Sequence, residues 1–318
     1  MKQLLKLSAA SLLVVGALSV QASTLGDVQA KGYVSCGVSK GLAGFSSADS
    51  SGTWTGVDVD VCRAVAAATL GDAQKVKFVP LTAKERFTAL QSGEIDMLSR
   101  NTTWTITRDA SLGLNFAGVN YYDGQGFMVK SSLGVSSAME LSGAAVCIQA
   151  GTTTELNLAD WGKANGIEYN SVVSDTNAQT LTNYDAGRCD VLTTDASGLY
   201  SMRAAASDPS EHVVLPEIIS KEPLGPVVRQ GDDQWFNIVR WSLNAMITAE
   251  ELGVTSATVD DVSNNPERER LMGRSGSTHE YVGLTPDWTY QIVKQVGNYS
   301  ESFERNIGIN TPIGIARG

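Results

Sequence analysis

The chain has 318 residues, a formal net charge of −10 and 42% hydrophobic residues. This length predicts about two domains, because single hydrophobic cores stop growing near ~250–300 residues. The acidic balance argues against nucleic acid or an anionic membrane surface as a partner, since both require clustered Lys and Arg. With only two histidines, His212 and His279, and no CxxC or HExxH motif, neither a metal nor another cofactor is expected.

The first 22 residues have the pattern of a secretory signal peptide. Lys2 and Lys6 flank the start of an apolar stretch over residues 7–20, and Val20-Gln21-Ala22 has the small-x-small form of a cleavage site. The stretch is short for a membrane-spanning helix. Export is therefore predicted, and an uncut N-terminal membrane anchor is the alternative.

Because an exported protein enters an oxidising compartment, the four cysteines are predicted to form disulfides. Four cysteines allow three complete pairings. The organisation of the chain favours Cys36 with Cys62 and Cys147 with Cys189. The alternative is that some of them are free, as small buried apolar residues.

Strands and helices alternate along the first two thirds of the exported chain. The first half is predicted to contain strands over 33–38, 75–80 and 95–99, a helix over 58–70 capped by Asp58, and a helix from Ala83 to Gly93 with a Thr82–Glu85 capping box. The second half repeats the pattern, with strands over 144–149, 168–173 and 190–194 and helices over 155–165 and 178–186. This alternation predicts a parallel α/β sheet in each half.

After Pro226 the pattern becomes helical. One predicted helix carries apolar residues at helical spacing from Phe236 to Ile247, and another runs from Thr285 to Tyr299 with Pro286 at its first position. Between them, residues 264–278 are polar and contain glycine, which predicts an exposed loop.

The chemistry is predicted to lie just past the carboxyl ends of the strands, where open parallel sheets bind ligands. Four segments meet that condition: a Gly-rich loop from Ser39, a Thr-rich loop over 99–105 with Asn101 and Thr103, a helix start at Gly151-Thr152-Thr153, and Thr194-Asp195. At the helix start that follows Gly151, free backbone N–H groups favour the binding of an anion.

Arg108 and Asp195 give these loops one cation and one carboxylate. That pair fits a zwitterion, because a guanidinium can hold an α-carboxylate and a carboxylate an α-ammonium. The alternatives are a solvated Arg108–Asp109 surface pair and a helix-capping role for Asp195. Asp58 and Asp60 are interpreted as a cap and a surface residue, and Phe45, Trp54 and Trp104 are as easily packing residues as ligand walls.

Four segments resemble the periplasmic general L-amino-acid-binding proteins, which belong to the polar-amino-acid receptors of ABC importers. They are Gly56-Val-Asp-Val-Asp-Val-Cys-Arg63, Pro80-Leu-Thr-Ala-Lys-Glu-Arg-Phe-Thr-Ala-Leu-Gln-Ser-Gly93, Ser99-Arg-Asn-Thr-Thr-Trp-Thr105 and Gly151-Thr-Thr-Thr-Glu-Leu-Asn-Leu158. The resemblance implies a type II two-lobed α/β fold, each lobe a mostly parallel sheet flanked by helices. It places two extended crossovers near 121–128 and 222–229, which gives lobe one over 23–125 and 226–318 and lobe two over 126–225.

The resemblance also assigns roles to the site residues. Arg108 would hold the ligand carboxylate with Thr103 and the backbone at Asn101, Gly151-Thr152-Thr153 would add donors, and Asp195 would hold the ammonium. Relatives carry Asp and Phe where this chain has Ser39 and Leu42, and an aromatic wall where it has Ala83. These losses of side-chain contacts imply broad specificity. Relatives tend to continue past a sequence like the final Arg317-Gly318, which would make this C-terminus shorter than theirs.

The implied function is a periplasmic, monomeric substrate-binding protein without catalytic activity, which binds L-amino acids and docks on the membrane permease subunits of an ABC importer. The main alternative is an exported dehydratase of prephenate-like acids on the same fold. Against it, no histidine lies near the predicted cleft and no buried acid partner is obvious. A further alternative is the sensor domain of a membrane receptor. The second membrane-spanning segment that such a receptor requires is not found in the sequence, which argues against it.

Overall fold

The computed structural model describes residues 23–317, and the predicted signal peptide over residues 1–22 lies outside them. The α-helices of the described chain are α1 Thr24–Lys31, α2 Val57–Leu70, α3 Arg86–Gln91, α4 Thr153–Asn165, α5 Asn177–Asp185, α6 Ala196–Ala205, α7 Asp233–Glu251, α8 Pro266–Leu271, α9 Trp288–Val296 and α10 Tyr299–Asn306. The strands are β1 Val34–Ser39, β2 Ser47–Ala48, β3 Trp54–Thr55, β4 Val76–Leu81, β5 Met97–Leu98, β6 Leu114–Phe116, β7 Tyr121–Asp123, β8 Gln125–Lys130, β9 Ala145–Gln149, β10 Asn170–Ser174, β11 Val191–Asp195, β12 His212–Val214, β13 Glu222–Leu224 and β14 Val227–Arg229.

Lobe one is built around a five-stranded sheet with the order β4-β1-β5-β14-β6. β4, β1 and β5 run parallel. β14 lies antiparallel between β5 and β6, with Val227 opposite both Leu98 and Phe116. The sheet of lobe one therefore combines strands from the first part of the chain with one strand from its second half.

Lobe two is built around a second five-stranded sheet, with the order β10-β9-β11-β8-β12. β10, β9 and β11 run parallel, and β8 pairs antiparallel with both β11 and β12. All of its strands lie between Gln125 and Val214. The structure thus confirms the predicted fold class, two α/β lobes with mostly parallel sheets.

The chain passes between the lobes at β7 and β13. These strands pair antiparallel as a two-stranded ribbon, with Asp123 opposite Glu222. They lie within the ranges 121–128 and 222–229 that were predicted for the crossovers. The predicted lobe limits at 125 and 225 stay predictions.

Helix α2 begins where a glycine is required. Gly56 precedes it with φ of +132°, and a Cβ on Gly56 would lie 2.0 Å from the carbonyl oxygen of Phe45. The helix ends on Gly71, which adopts the left-handed conformation. A glycine adopts it without the steric cost that a residue with a Cβ would have. The prediction that Asp58 caps this helix is wrong, because Asp58 lies inside the first turn with its side chain buried.

Each lobe has its own apolar core and its own disulfide. The core of lobe one packs α2, α7 and α9 on its sheet around the buried Trp235. The disulfides join Cys36 to Cys62 in lobe one and Cys147 to Cys189 in lobe two, with Cα–Cα distances of 6.1 and 5.6 Å. The predicted pairing is confirmed, and neither disulfide connects the two lobes.

The C-terminal helices differ from their predictions in two places. The helix predicted from Thr285 to Tyr299 is two helices, since Gly297 ends α9 and Asn298 starts α10 with a capping box to Glu301. The loop predicted over 264–278 contains the short helix α8. Its start is fixed by Asn265, whose side chain accepts backbone hydrogen bonds, and by Pro at the first helical position.

None of the helices within residues 23–317 combines the length and the apolar character that crossing a membrane requires.

Candidate functional site

The two lobes touch where the carboxyl ends of their parallel strands face each other. The hydroxyl oxygens of Thr103 and Thr153 are 3.4 Å apart, and the Lys84 ammonium lies 2.9 Å from the Asp175 carboxylate. Nearer β7 and β13, the Ser201 hydroxyl of lobe two donates to the Ala43 carbonyl of lobe one at 2.9 Å. Of these residues at the cleft between the lobes, Thr103, Thr153 and Ala43 lie in loops that the sequence predicted for the site, whereas Lys84, Asp175 and Ser201 lie outside them.

Arg108 lies in this cleft on lobe one, in the π-helical turn Thr107–Ser111. Its side chain is enclosed, with a residue exposure of 9%, and its Nη1 donates to the Thr103 carbonyl at 2.9 Å. Burial lowers the pKa of the guanidinium, and the nearby carboxylates Glu222 and Asp195 oppose that shift. The alternative of an exposed pair with Asp109 is wrong, because the Asp109 carboxylate accepts a hydrogen bond from the backbone of Phe116 instead.

Two further buried arginines accompany Arg108, and sequence reasoning missed both. Arg100 is held structurally, its Nε donating to the Leu81 carbonyl at 3.0 Å. Arg86, at the start of α3, is 2% exposed and reaches lobe two, where Nη2 lies 3.4 Å from the Gly151 carbonyl. Burial lowers the pKa of Arg86, and repulsion from the other two guanidinium groups lowers it further. The cleft surface of lobe one is thus strongly cationic.

The Thr-rich loop after β5 is held in shape by Asp58. Asn101 has φ of +34°, the only positive value outside glycine within residues 23–317. The buried Asp58 carboxylate accepts the Asn101 N–H at 2.6 Å, the Ser99 hydroxyl at 3.1 Å and the Asn120 side-chain amide at 3.0 Å. These bonds offset the cost of a left-handed residue and fix the loop from which Thr103 and Arg108 follow.

Asp60, interpreted from sequence as a surface residue, is also buried, and that interpretation is wrong. Its carboxylate binds α10, with Ser302 Oγ at 2.6 Å, Arg305 Nη2 at 2.6 Å and Asn306 Nδ2 at 2.8 Å. It therefore fixes the C-terminal helix onto lobe one and does not belong to the cleft.

Asp195 is the last residue of β11 and lies on the lobe-two side of the cleft. It stands at the N-cap position of α6, but within the described chain its side chain makes no capping hydrogen bond. The structure therefore does not support the capping alternative. Burial raises the pKa of the carboxyl well above its ordinary value, and repulsion from Asp123 and Glu222 adds to the shift.

Asp123 and Glu222, the paired acids of the crossover ribbon, are cleft residues that the sequence reasoning missed. The Glu222 carboxylate accepts hydrogen bonds from Thr153 Oγ1 at 2.9 Å and Asn157 Nδ2 at 2.6 Å. The Asp123 carboxylate binds the hydroxyl and the backbone N–H of Ser197. No local pattern in the sequence distinguished these two acids from exposed ones. They also correct the expectation that no buried acid lies near the cleft.

The turn after β9 supplies fewer free donors than its sequence implied. Gly151 takes φ of +74°, and its N–H donates to the Glu155 carboxylate at 2.7 Å. The Thr152 hydroxyl donates to the Gln149 carbonyl at 2.7 Å. Thr153 donates to Glu222 and faces Thr103, so it is the member of the turn at the boundary between the lobes.

The remaining predicted residues lie around this centre. Ser39 ends β1 and is buried, with its N–H donating to Ser46 Oγ at 2.9 Å. Thr194 lies in β11 opposite Gly126. Of the aromatic candidates, Trp54 packs on Phe78, Phe45 meets the edge of Tyr121, and Trp104 stacks on Phe116 at 5.5 Å. These contacts are those of packing residues.

The site as a whole separates charge across the cleft. Arg86 and Arg108 stand on the lobe-one side, whereas Asp195 stands on lobe two and Asp123 and Glu222 stand on the crossover ribbon. A small molecule that carries both signs can satisfy both sides, whereas a ligand of one sign leaves buried charges unpaired, which is costly.

Comparison with known proteins places this geometry in context. The profile of the bacterial extracellular solute-binding proteins, family 3, matches residues 34–258. The general L-amino acid-binding periplasmic protein AapJ of Rhizobium johnstonii is 60% identical over 313 residues, which cover 97% of this chain and 92% of that protein. The glutamate/glutamine/aspartate/asparagine-binding protein BztA of Rhodobacter capsulatus is 55% identical over 309 residues, or 96% of this chain and 91% of that protein.

A solved structure is similar over nearly the same length. The ABC transporter / periplasmic binding protein from Brucella ovis with glutathione bound is 58% identical, superposes with a TM-score of 0.91, and covers 93% of this chain and 94% of that chain. The similarity therefore includes both lobes and the C-terminal helices.

Proposed function

Since the chain belongs to the bacterial extracellular solute-binding proteins, family 3, we propose that it is the periplasmic substrate-binding component of an ABC importer for L-amino acids. In this role it is exported by residues 1–22, acts as a monomer and delivers its ligand to membrane permease subunits. The names of the relatives at 60% and 55% identity, a general L-amino acid-binding protein and an acidic and amide amino-acid-binding protein, support this reading.

One observation carries the proposal: buried groups of opposite charge, Arg108 and Asp195, face one cleft from different lobes. An α-amino acid has a carboxylate and an ammonium two bonds apart on one carbon. Arg108 holds the carboxylate, assisted by the Thr103 hydroxyl and the backbone at Asn101. Asp195 holds the ammonium, and Thr153 adds a hydroxyl from lobe two. These are charge-assisted hydrogen bonds, the strong class.

Lesser roles fall to the surrounding loops. Gly151 and Thr152 shape the turn that brings Thr153 to the cleft, and Ser39 and Thr194 line its edges. Since Ser39, Leu42 and Ala83 provide no charged or aromatic group for a ligand side chain, recognition depends mainly on the groups that all amino acids share. Broad specificity follows.

Ligand binding closes the cleft. The lobes have limits at 23–125, 126–225 and 226–318 and move about the ribbon of β7 and β13. Only the closed arrangement brings Arg108 and Asp195 to one ligand, so the ligand shifts the population towards it. The contact between Thr103 and Thr153 and the ion pair between Lys84 and Asp175 support this, because both join the lobes at the cleft.

Catalysis is not part of the proposed function. The relatives above are named as binding proteins, which disfavours the dehydratase of prephenate-like acids at the family level. The buried acids of the cleft leave that chemistry open to a direct assay, in which ultraviolet absorbance follows prephenate-like substrates. We expect no turnover.

The test of the function is a calorimetric panel of L-amino acids on protein that has been unfolded, freed of bound ligand and refolded. We expect several L-amino acids to bind, at affinities near the micromolar range, which corresponds to about 8 kcal/mol. Binding of a single amino acid would remove the broad specificity, and binding of none would remove the function.

A further inference from the structure

The buried carboxylate of Glu222, on the crossover strand β13, holds the first residues of helix α4. Its residue exposure is 2%, and it accepts hydrogen bonds from Thr153 Oγ1 at 2.9 Å and from Asn157 Nδ2 at 2.6 Å. The Ser220 hydroxyl also donates to it, at 2.6 Å. Thr153 and Asn157 are four residues apart, so they lie on one face of α4. Glu222 therefore fixes that face of α4 to the crossover ribbon.

The backbone of the same strand holds the Thr-rich loop of lobe one. Thr103 forms an antiparallel bridge with Leu224, and the Trp104 N–H donates to the Pro223 carbonyl at 2.8 Å. Strand β13 thus holds Thr103 on lobe one and, through the side chain of Glu222, the start of α4 on lobe two.

The bond to Glu222 uses the single proton of the Thr153 hydroxyl. A carboxylate accepts a hydrogen bond more strongly than another hydroxyl group does, so the proton stays on that side. Towards the cleft the Thr153 oxygen can then only accept. The hydroxyl of Thr103, 3.4 Å away, is consequently the donor in the contact between the two threonines. The protons of this series all point from lobe one towards the crossover ribbon.

This direction matches one orientation of a bound zwitterion. An ammonium donates hydrogen bonds and requires acceptors, whereas a carboxylate requires donors. Towards the cleft, Thr153 offers an acceptor and Thr103 offers a donor. Thr153 therefore belongs with Asp195 as a partner of the ligand ammonium, and Thr103 belongs with Arg108 as a partner of the ligand carboxylate.

We propose that Glu222 is a positioning residue for ligand binding, which fixes the Thr153 hydroxyl as an acceptor for the α-ammonium of the bound amino acid. The inference rests on the proposed function and refines it, since it assigns Thr153 to one end of the ligand and Glu222 to the orientation of Thr153. A primary ammonium has protons for both Asp195 and Thr153. A ligand without an ammonium gains nothing from this arrangement.

The first test compares L-glutamate with glutarate, the same dicarboxylate without the ammonium, by calorimetry on refolded protein. Glu222→Gln keeps the size of the side chain and replaces the carboxylate by a weaker, neutral acceptor. We expect glutamate to lose about tenfold or more in affinity and glutarate no more than about threefold. Equal losses for the two ligands, or no loss for either, overturn the inference.

A double-mutant cycle with Thr153→Val separates action through Thr153 from a direct effect of the Glu222 charge on the ligand. Glu222→Gln should cost glutamate about tenfold in affinity in the unmodified protein and no more than about threefold in the Thr153→Val protein. The same loss in both proteins would show that the charge acts directly, which contradicts the proposal. Thr153→Ser keeps the hydroxyl and should retain the affinity for glutamate. The cycle uses glutamate alone, so it also decides where glutarate binds too weakly to be titrated.

Asn157→Ala is the matched control. It removes the other α4 donor to Glu222 and leaves the bond from Thr153 in place. We expect it to change the affinities for glutamate and glutarate by one common factor. A selective loss for glutamate would assign the effect to the anchoring of α4 and reject the role of the Thr153 hydroxyl.

Two further outcomes are distinguishable. If Glu222→Gln fails to fold, Thr153→Val decides, because glutamate must then lose more affinity than glutarate and equal losses reject the inference. Failure of every amino acid to bind the unmodified protein would reject the proposed function itself, whereas glutamate that binds with equal losses rejects this inference alone.

Discussion

The hydroxyl oxygens of Thr103 and Thr153 lie 3.4 Å apart, although one belongs to lobe one and the other begins helix α4 of lobe two. Thr103 also accepts a hydrogen bond from Arg108 through its carbonyl, and Thr153 donates to Glu222 on the crossover ribbon. The boundary between the lobes is thus a short series of polar contacts that ends on a charged group at either side. A ligand that binds these groups contacts both lobes at once.

Arg108→Ala should abolish the binding of every amino acid, because all of them lose the partner of their α-carboxylate. We expect a loss of at least about 100-fold, since the removed bonds are charge-assisted and enclosed. Calorimetry with several amino acids measures it. The exposed Arg188, which donates to Asn183, provides the control: Arg188→Ala should leave affinity unchanged. Retained affinity in Arg108→Ala would move the carboxylate site elsewhere.

Asp195→Asn should affect ligands according to whether they carry an ammonium. The variant removes the negative charge but keeps the shape of the side chain. We expect amino acids to lose far more affinity than their deaminated analogues, which have no cation to lose a partner. Parallel titrations of each amino acid and its deaminated analogue give the ratio of the two losses of affinity. Equal losses would remove the role assigned to Asp195.

The raised pKa of Asp195 predicts a pH dependence of ligand binding. In the ligand-free folded protein this carboxyl keeps its proton to higher pH than in the unfolded chain, where its pKa is about 3.9. The folded state therefore binds more protons above that pH, and the free energy of unfolding falls as pH rises towards the raised pKa. A ligand ammonium requires the ionised form, so affinity rises with pH over the same window.

Melting temperatures with and without amino acid, measured across this pH range, test the effect. The increase caused by the ligand should grow as pH rises in the unmodified protein and should lose most of its slope in Asp195→Asn. Asp123, whose pKa burial also raises, repels the Asp195 carboxylate, so the difference between the two profiles reports on this pair of acids. Identical pH profiles for the two proteins would contradict the prediction.

Gly151→Ala should hinder the approach of the lobes. A Cβ on Gly151 would lie 3.0 Å from Cγ and 3.3 Å from the backbone nitrogen of Lys84, across the cleft. Gly134 has a similar φ, +72° against +74°, but its Cβ would meet nothing within 4 Å. Both alanine variants should therefore lose about 1 kcal/mol of stability from backbone strain, and only Gly151→Ala should also weaken ligand binding.

Chemical denaturation and calorimetry on both glycine variants separate these effects. Comparable losses of stability with unequal affinities are the expected result. An affinity loss of the same size in Gly134→Ala would show that the effect is indirect.

Local patterns in the sequence were sufficient to predict much of the fold. Alternating apolar strands and helices, such as the helix predicted from Ala83 to Gly93, are short-range features, and the structure has strands and helices there within a few residues. Where prediction failed, the deciding contacts are long-range. Asp58 and Asp60 look like polar helix-start residues until Asn101 and α10, distant in sequence, bury them.

The candidate site shows the same difference between residues that local patterns predict and residues that long-range contacts determine. Arg108 and Asp195 follow strand ends, so their position could be inferred from topology. Arg86 lies in a helix start and Glu222 in a crossover, and no local pattern distinguishes a buried charge there from an exposed one. Their burial depends on how closely the lobes approach, which is a property of the tertiary structure.

The place of β14 in the first sheet has a consequence for the order of folding if the chain is exported as proposed. A chain that crosses a membrane from its N-terminus presents β1, β4, β5 and β6 early, yet β5 and β6 are joined only through β14, which arrives after all of lobe two. Lobe two is contiguous and can complete its sheet first, whereas lobe one waits with two unpaired edges. Such edges favour association with other chains, so we expect the interval before β14 emerges to be the stage at which this protein most needs protection by a chaperone.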